Sequence, residues 1–299
     1  MVKGKKYTLE DIILNFIVYF FMILVVICTL YPFLNTLAVS FNDALDSVRG
    51  GIYLWPRKFT TNNYHMILSK PEIYHSALIS VLRAIIGSLT NVLSCLMVAY
   101  GISRKDYVFR KFVSRTIVFT MYFSGGLIPA YLLMKNLHLI NTFWVYIIPG
   151  MVSAFNIIVI RSYIDGLPKD LIESAKIDGA SEYRILFSII LPLSLPVLAT
   201  VTLWVAVGQW NAWFDTFLYN SGNPNLSTLQ FELQKVLQSV QSASSTPDFS
   251  ASLSQGGSAV TPTAIRATMT IVAILPILFV YPFLQRYFVS GLTIGSVKE

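Results

Sequence analysis

Residues 12–38 read IILNFIVYFFMILVVICTLYPFLNTLA, which is 27 residues without a charged side chain. A helix that crosses the roughly 30 Å of membrane hydrocarbon needs about 20 mostly apolar residues. Because a soluble core cannot shelter six such segments, the sequence predicts an all-α integral membrane protein with six transmembrane helices. The five further charge-free stretches are residues 84–103, 116–134, 136–160, 185–214 and 267–285.

The overall composition agrees with a membrane protein. Charged residues make up 12% of the chain and the mean hydropathy is +0.62, whereas about a quarter of the residues in ordinary soluble domains are charged. Lysines ahead of the first apolar stretch could open a secretory signal peptide. The apolar part of a signal peptide is only about 7–15 residues long, so residues 12–38 are expected to remain as an uncleaved first helix.

Basic residues are distributed asymmetrically along the chain. The net charge of +7 could indicate a nucleic-acid partner. If the six stretches alternate across the membrane from an inner N-terminus, 14 lysines and arginines lie inside and 6 lie outside. This bias follows the positive-inside rule. The charge therefore indicates the orientation of a multi-pass protein in the lipid bilayer of the cell membrane, with both termini cytoplasmic, and no nucleic-acid partner.

Prolines and glycines interrupt two of the predicted helices. Gly125, Gly126 and Pro129 are expected to break or bend the third helix. Either this break faces a water-filled lumen, or the helix simply ends at the outer surface. Pro192 and Pro196 interrupt the fifth helix in the same way.

The predicted organisation is a single transmembrane domain over residues 1–299. An amphipathic helix is expected over residues 226–240, followed by a solvated Ser-rich segment. The six helices are expected at residues 12–38, 75–103, 113–134, 141–160, 185–217 and 263–288, with a cytoplasmic segment at 161–184 and an extracellular loop at 218–262.

The most informative segment lies between the fourth and fifth helices. Seven of its residues stand at a characteristic spacing: Glu173, Ser174, Ala175, Gly179, Ile189, Leu191 and Pro192. The segment resembles the EAA motif of ABC importer permeases, in which EAA is followed by three residues, G, nine residues, I, one residue and LP. Every spacing agrees, and Ser174 alone departs, because the family usually has alanine there.

The physical properties of this segment agree with the role that the resemblance implies. Residues 170–176 are expected to form a short helix that ends at Gly179, since glycine readily takes the left-handed conformation. In the family, this helix–glycine–helix element is the coupling helix, which sits in a cleft of the ATPase subunit. The resemblance implies that Ser174 and Ala175 permit close approach and that Glu173 contacts the ATPase. An ordinary amphipathic cytoplasmic loop is the alternative interpretation.

Three other stretches narrow the resemblance within the family. Residues 291–298, GLTIGSVK, look like the end of the smaller permeases of carbohydrate importers of the maltose/maltodextrin type. Residues 122–129, YFSGGLIP, and 210–215, WNAWFD, look like the branch that imports oligosaccharides from complex polysaccharides. The resemblance covers essentially the whole chain, apart from the Ser-rich loop.

Two arginines, Arg83 and Arg266, fall inside predicted helices near their outer ends. An arginine at the centre of a membrane helix costs about 2.5–3.5 kcal/mol or more. We therefore expect both side chains to snorkel to the lipid headgroups or to pair with a partner subunit, and contact with the substrate is the alternative.

Aromatic and amide side chains gather near the outer end of the fifth helix. Tryptophan and tyrosine commonly form an interfacial belt. Alternatively, aromatic faces and amide groups line a sugar path, while helix–helix hydrogen bonds equally explain the mid-span asparagines. The candidate path residues are Tyr122, Asn156, Gln209, Trp210, Asn211, Trp213 and Asp215.

The resemblance implies a machine of several subunits. A second homologous permease would form a heterodimer with this chain, two copies of an ABC ATPase would dock inside, and an extracellular solute-binding protein would deliver an oligosaccharide. The sequence has no GxxxxGK[ST] phosphate loop. ATP and Mg are therefore expected on the ATPase, no cofactor is expected on this chain, and the chain is expected to be a transport subunit rather than an enzyme. Transport would proceed inward by alternating access.

Three rival functions compete with this interpretation. An ion-coupled secondary transporter would ordinarily show repeats and buried carboxylates, but the charge-free stretches hold no acid. A membrane enzyme or metal site finds no support, because the histidines and cysteines lack metal-ligand spacing. Cys28 and Cys95 both fall inside predicted helices and are expected to be buried apolar residues. An ABC importer of a solute other than sugar is the more serious alternative.

Overall fold

A computed structural model describes residues 8–168, 170–244 and 261–294 of the chain. These ranges are mainly helical and contain one isolated bridge, between Asn42 and Phe59. The predicted all-α class is confirmed. The helices are α1 (Leu9–Ser40), α2 (Ala44–Val48), α3 (Asn62–Leu68), α4 (Pro71–Ser103), α5 (Arg110–Tyr122), α6 (Leu127–Asn136), α7 (Ala154–Asp165), α8 (Asp170–Ile177), α9 (Glu182–Ile185), α10 (Leu191–Leu193), α11 (Leu195–Asn211), α12 (Phe214–Asn220), α13 (Leu229–Ser244) and α14 (Pro262–Ile294).

The first span begins a few residues earlier than the predicted residue 12, because Thr8 caps it. The Thr8 hydroxyl accepts from the Asp11 amide at 3.3 Å, and the Asp11 carboxylate accepts from the Thr8 amide at 3.0 Å. This reciprocal capping box satisfies two amides that a helix start leaves unpaired. Most apolar side chains of α1 are exposed, including Cys28. The expectation that Cys28 is buried is therefore wrong within the chain itself, and α1 offers its apolar surface to lipid or to another subunit.

One compact unit comprises residues 1–70 and 235–273. The segment between α1 and α3 is organised by Asn42, which is fully buried. The Asn42 amide donates to Asp46 and to Ser47, each at 3.0 Å, and its carbonyl accepts from the Lys58 amide at 2.8 Å. The hydrogen bond from Asn42 lowers the pKa of Asp46, and Arg57 adds an ion pair at 3.0 Å. A buried amide therefore organises a segment that the hydrophobic pattern leaves undefined.

The other compact unit comprises residues 71–234 and 274–299. Within it α4 packs against α7 and α11, because small or β-branched side chains on the facing surfaces let the helices approach closely. Cys95 is buried there as predicted. The fully buried residues at this junction are Cys95, Leu96 and Ala99 of α4, Ile157 and Ile160 of α7, and Val201 of α11.

Among the described residues, α1, α4 and the first part of α14 are single helices long and apolar enough to cross a membrane. Three further pairs meet the same test together but are sharply bent, which makes six spans when each pair is counted once. The bends are 119° between Arg110–Tyr122 and Leu127–Asn136, 48° between Phe143–Gly150 and Ala154–Asp165, and 80° between Glu182–Leu193 and Leu195–Asn211.

The continuous helix predicted over residues 141–160 is wrong. Phe143–Tyr146 and Ile148–Gly150 form short 3₁₀ turns instead. Pro149 lacks an amide hydrogen and Gly150 follows it, so an α-helix cannot run through this point without losing hydrogen bonds. The α-helix α7 begins only after Ser153, whose side chain caps it, and continues to Asp165, inside the range predicted as the cytoplasmic segment.

The helix predicted over residues 185–217, with interruptions at Pro192 and Pro196, is divided into more pieces than those two prolines predict. A π-helical turn covers Leu186–Ile190, and α10, α11 and α12 follow as separate helices. Pro192 and Pro196, the prolines predicted to interrupt this helix, account for the first interruptions. A second break falls at Ala212 and Trp213, because the backbone dihedral angles of these two residues are not α-helical.

The remaining boundaries differ from the predictions by a few residues. The helix predicted over 75–103 starts at Pro71, because proline suits the first helical position. The helix predicted over 263–288 continues to Ile294, and the amphipathic helix predicted over 226–240 is α13. The Ser-rich residues 245–260 and the tail residues 295–299 lie outside the described residues.

Candidate functional site

The EAA-like segment forms a helix, a left-handed glycine and a second helix. Gly179 follows α8 with a φ of +76°. The amide of Ala180 donates to the carbonyl of Ala175 at 2.9 Å, and the amide of Gly179 donates to the carbonyl of Lys176 at 3.0 Å. These two bonds form a Schellman motif, which a side chain at the glycine would strain. The left-handed glycine predicted from the sequence is therefore confirmed.

The two faces of α8 differ in exposure. Ile172 and Ala175 are buried at 8% and 9% exposure, whereas Glu173 and Ser174 are exposed. The Ser174 hydroxyl donates to the Asp170 carbonyl at 2.7 Å, so it is satisfied within the helix. The apolar face anchors α8 to the helical core, and the exposed face carries a carboxylate that is free to meet another subunit.

The rest of the motif lies at the base of the broken fifth span. Ile189 sits half-buried in the π-helical turn, and Leu191 is half-buried at the start of α10. Pro192 is exposed. These three residues therefore lie beside the break in the fifth span. They do not belong to the exposed face of α8.

Behind α8 lies a network that we call the inner ion network: Tyr100, Arg104, Asp106, Lys176 and Glu182. The Lys176 ammonium lies 2.9 Å from a Glu182 oxygen and 3.1 Å from an Asp106 oxygen. The Tyr100 hydroxyl donates to the other Glu182 oxygen. Arg104 approaches Asp106 at 3.9 Å. Hydrogen bonds to Glu182 and Asp106 raise the pKa of Lys176, and the bond from Lys176 lowers the pKa of Asp106.

Arg83 on α4 is buried, with 2% of its surface exposed. Its guanidinium donates to both carboxylate oxygens of Asp215, to Gln209 at 2.8 Å and to the Ala212 carbonyl at 3.1 Å. The Tyr146 ring lies 4.6 Å from the guanidinium carbon. The prediction that Arg83 snorkels or pairs with a partner subunit is wrong, because this chain supplies the neutralising acid. Asp215 and Gln209, predicted to line a sugar path, are both bound to this arginine.

Gln209 occupies a slot between two glycines. A Cβ added at Gly87 would lie 2.9 Å from the Gln209 side-chain amide, and one at Gly150 would lie 3.5 Å from it. The amide nitrogen also donates to the Tyr146 carbonyl at 3.4 Å. The absence of side chains at these glycines therefore lets Gln209 reach Arg83.

The mid-span asparagines form a short chain of hydrogen bonds. The Asn156 amide donates to the Asn91 carbonyl at 2.8 Å, and the Asn91 amide donates to the Gly150 carbonyl at 2.7 Å. Asn156 is 6% exposed. This geometry matches the helix–helix alternative, because Asn91 satisfies a carbonyl that the 3₁₀ turn leaves unpaired.

The other candidate path residues differ in exposure. Tyr122 is 80% exposed at the end of α5, Asn211 is exposed at the end of α11, and Trp213 is half-buried at the second break. Trp210 is 8% exposed and borders a cavity of about 330 Å³ between α4, α11 and α14. The walls of this cavity are almost wholly apolar, so it does not offer the polar groups that sugar hydroxyls need. Arg266 is exposed near the start of α14, and its role stays a prediction.

Comparison with known proteins identifies the family to which this set of broken helices belongs. Residues 11–294 match the family described as binding-protein-dependent transport system inner membrane component. The chain belongs to this family. As an inner membrane component of such a system, it is the permease of an ABC transporter, spans the cell membrane several times and is not an enzyme. The ATPase is a separate subunit, and a solute-binding protein takes part.

Two relatives of this inner membrane component come from Bacillus subtilis (strain 168). The polygalacturonan/rhamnogalacturonan transport system permease protein YtcP is 34% identical over 290 residues, which cover 97% of this chain and 100% of YtcP. Protein LplC is 36% identical over 271 residues and 90% of each chain. The similarity therefore extends over the whole permease and is not confined to one motif.

A solved structure shares the fold of this inner membrane component. It is the crystal structure of a bacterial ABC transporter involved in the import of the acidic polysaccharide alginate. The match has a TM-score of 0.84 at 26% identity and covers 95% of this chain and 100% of the other. The broken spans are thus those of a type I ABC importer permease.

Sequence reasoning missed the inner ion network and the partner of Arg83. Asp106 and Lys176 are 70 positions apart, and Tyr100 and Glu182 are 82 positions apart. No periodic pattern links residues at such separations. The available signal was weak: Glu182 and Lys176 flank the predicted glycine break, and Asp106 follows the inner end of α4.

Proposed function

We propose that this permease carries an oligosaccharide inward. The observation that carries the proposal is the end-to-end similarity to YtcP, 34% identical over 97% of this chain and named for polygalacturonan/rhamnogalacturonan transport. The structural match to an alginate importer supports the same solute class. Both names describe transport of acidic sugar polymers, so oligouronides are the first solutes to test.

The proposed assembly is a heterodimer of this chain with a second, homologous permease. Two copies of an ABC ATPase dock on the cytoplasmic side and bind ATP and Mg, while this chain binds no cofactor. A solute-binding protein delivers the sugar outside, and both termini of this chain are cytoplasmic. The positive-inside bias of the sequence supports that orientation.

Coupling is proposed to run through the segment at residues 161–184. Exposure of Glu173 and Ser174 supports contact with the ATPase, while burial of Ala175 keeps α8 attached to the core. Gly179 ends α8, and Ile189, Leu191 and Pro192 join it to the fifth span. Closure of the ATPase dimer then displaces α8, and the two permeases rock to face outward.

The sugar path is proposed to use two exposed members of the predicted set, Tyr122 and Asn211, and the half-buried Trp213. Tyr122, Asn211 and Trp213 offer aromatic faces and an amide to a passing sugar. The other members, Asn156, Gln209, Trp210 and Asp215, support this surface from behind, because their polar groups are bound within the chain or packed into it.

The deciding experiment is ATP hydrolysis by the reconstituted complex with its solute-binding protein. We expect oligogalacturonides or oligoalginates to stimulate hydrolysis, and neutral maltodextrins serve as the comparison sugars. Glu173→Lys should abolish the stimulation with assembly intact. Glu72→Lys is the matched control, because Glu72 is an exposed acid in the first turn of α4, outside the proposed coupling segment.

The same assay separates this function from its rival. Stimulation by peptides or amino acids, with no response to any sugar, would retain the ABC permease and exclude oligosaccharide import. If Glu173→Lys left the stimulation intact, the coupling role of α8 would be excluded instead.

A further inference from the structure

The inner ion network connects three elements, α4, α8 and α9. Lys176 belongs to α8, Tyr100 belongs to the last turn of α4, and Glu182 begins α9 at the foot of the fifth span. Asp106 belongs to the loop after α4. Lys176 contacts both carboxylates, and Glu182 contacts both Lys176 and Tyr100. The contacts therefore form one continuous path from α8 to α4.

The members of this network differ in burial. Tyr100 is 6% exposed, whereas the side chains of Lys176, Glu182 and Asp106 are 36%, 53% and 71% exposed. Exposed ion pairs contribute little to stability, because water screens them. The buried Tyr100 donates its hydroxyl hydrogen bond to the exposed carboxylate of Glu182. This bond connects the surface ion pair between Lys176 and Glu182 to the interior of the helical bundle.

Apolar packing alone would let α8 slide on its support. Ile172 and Ala175 pack with Ile102, Ile164 and Ile185, and these contacts have no fixed direction. Hydrogen bonds to charged groups have defined lengths and directions. A network of directional contacts on one side of α8 therefore fixes its position relative to α4.

We propose that Tyr100, Glu182, Lys176 and Asp106 are positioning residues that tie α8 to the inner end of α4, so that both move together when the ATPase closes. This inference rests on the proposed coupling function of α8. It adds that displacement of α8 reaches the membrane core through α4 as well as through the fifth span. α4 carries Arg83 and Asn91, so the same helix contacts the outer-side ion pair and the mid-span asparagines.

The first test measures coupling in the reconstituted complex, with oligogalacturonides as the probe. Tyr100→Phe and Lys176→Gln should lower sugar uptake per ATP hydrolysed about five-fold, the lower end of the range for coupling between sites, because the pairs are partly exposed. Tyr107→Phe is the matched control and should behave as the parent, since the described residues show no hydrogen bond to its hydroxyl. A merely structural role would lower uptake and hydrolysis in proportion.

A double-mutant cycle separates the link from its members. Tyr100→Phe, Glu182→Ala and the double variant are compared, and the double variant should reduce coupling no more than Glu182→Ala alone, because that change already removes the acceptor of the Tyr100 hydroxyl. If the two single effects simply add, Tyr100 and Glu182 act independently and the link is excluded.

The second test needs no transported solute. Spin labels at Ile177 on α8 and Met97 on α4, both exposed, report the distance between the two helices in a cysteine-free background. In the parent complex this distance should stay the same when ATP and vanadate close the ATPase. In Tyr100→Phe and Lys176→Gln it should broaden or lengthen on closure.

The outcomes distinguish this inference from the proposed function. Variants with the parent's distance distribution, or with the parent's uptake per ATP, overturn the tie between α8 and α4. If oligogalacturonides do not stimulate the parent, the sugar assignment fails and the distance measurement still decides the tie. If Glu173→Lys leaves coupling intact, the proposed role of α8 fails on its own.

Discussion

Arg83 and Asp215 are 132 positions apart in the sequence and form a two-point ion pair. Arg83 is 2% exposed, and the Asp215 side chain is 26% exposed. An unpaired charge in apolar surroundings is costly. Arg83 and Asp215 neutralise each other, and this lowers the free-energy cost of burying either charge. The pair joins α4 to the first turn of α12, immediately after the break at Ala212 and Trp213. It therefore fixes the outer part of a span that the backbone alone leaves discontinuous.

Loss of one member of this pair should destabilise the protein strongly. Removal of one partner from a buried ion pair costs about 3–5 kcal/mol, and the partial exposure of Asp215 places Asp215→Asn near about 3 kcal/mol. The melting temperature of the purified complex measures this loss. Arg49→Met, at an exposed arginine for which the described residues show no ion pair, is the control and should leave the melting temperature unchanged.

The paired replacement gives a sharper result than either single change. Arg83→Met combined with Asp215→Leu should destabilise the complex less than Asp215→Asn, because no buried charge is left alone. A double variant as unstable as the sum of the two single variants would contradict this account.

Gly87→Ala should disturb the same cluster through Gln209. The new methyl group would stand 2.9 Å from the Gln209 amide carbon, so Gln209 must retreat from Arg83. Overpacking of this kind costs about 1–3 kcal/mol. Gly208→Ala is the control in a helix with open space around it, and should preserve or slightly raise stability. Equal melting temperatures for the two variants would exclude the slot.

Gly179→Ala should impair coupling through the backbone alone. No atom lies within 4 Å of the added Cβ, so the cost comes from the φ of +76° and is about 1–2 kcal/mol. Gly179→Asn should be milder, because asparagine tolerates the left-handed region. Stimulated ATP hydrolysis is the measurement, and Gly101→Ala in α4 is the control with equally open space. A normal response from Gly179→Ala would show that α8 does not depend on the Schellman motif.

The link between α8 and α4 should not change between about pH 5 and about pH 9. The bond from Lys176 lowers the pKa of Asp106 below its ordinary value of 3.8, so that contribution is present above 3.8 and is lost as the pH falls through the lowered pKa. The bond to Glu182, followed by that to Asp106, raises the pKa of Lys176 above 10.5, so that contribution is lost only as the pH rises through the raised pKa. The distance between labels at Ile177 and Met97 tests this. A shift between pH 6 and pH 8 would mean that another group controls the link.

Much of the site was predictable where it depends on local sequence. The spacing from Glu173 to Pro192 gave the EAA-like segment, and Gly179 has the left-handed conformation that its position predicts. The interruptions at Gly125–Gly126 and near Pro192 were also readable, since glycine permits non-helical backbone and proline removes a backbone donor. The break at Pro149 and Gly150 carried the same signal, but the surrounding apolar run outweighed it in the prediction.

What the sequence by itself determined is the class of the protein, because hydropathy, basic residues at helix ends and short-range spacing act within a few turns of one helix. The tertiary structure alone decided which polar groups meet. Gln209 and Asp215 look like free path residues until Arg83 is seen beside them, and Lys176 looks like a solvated lysine until Asp106 and Glu182 are placed around it. The physical reason is that a buried charge or amide must find a partner, and its identity depends on how distant helices pack and not on the pattern along any one of them.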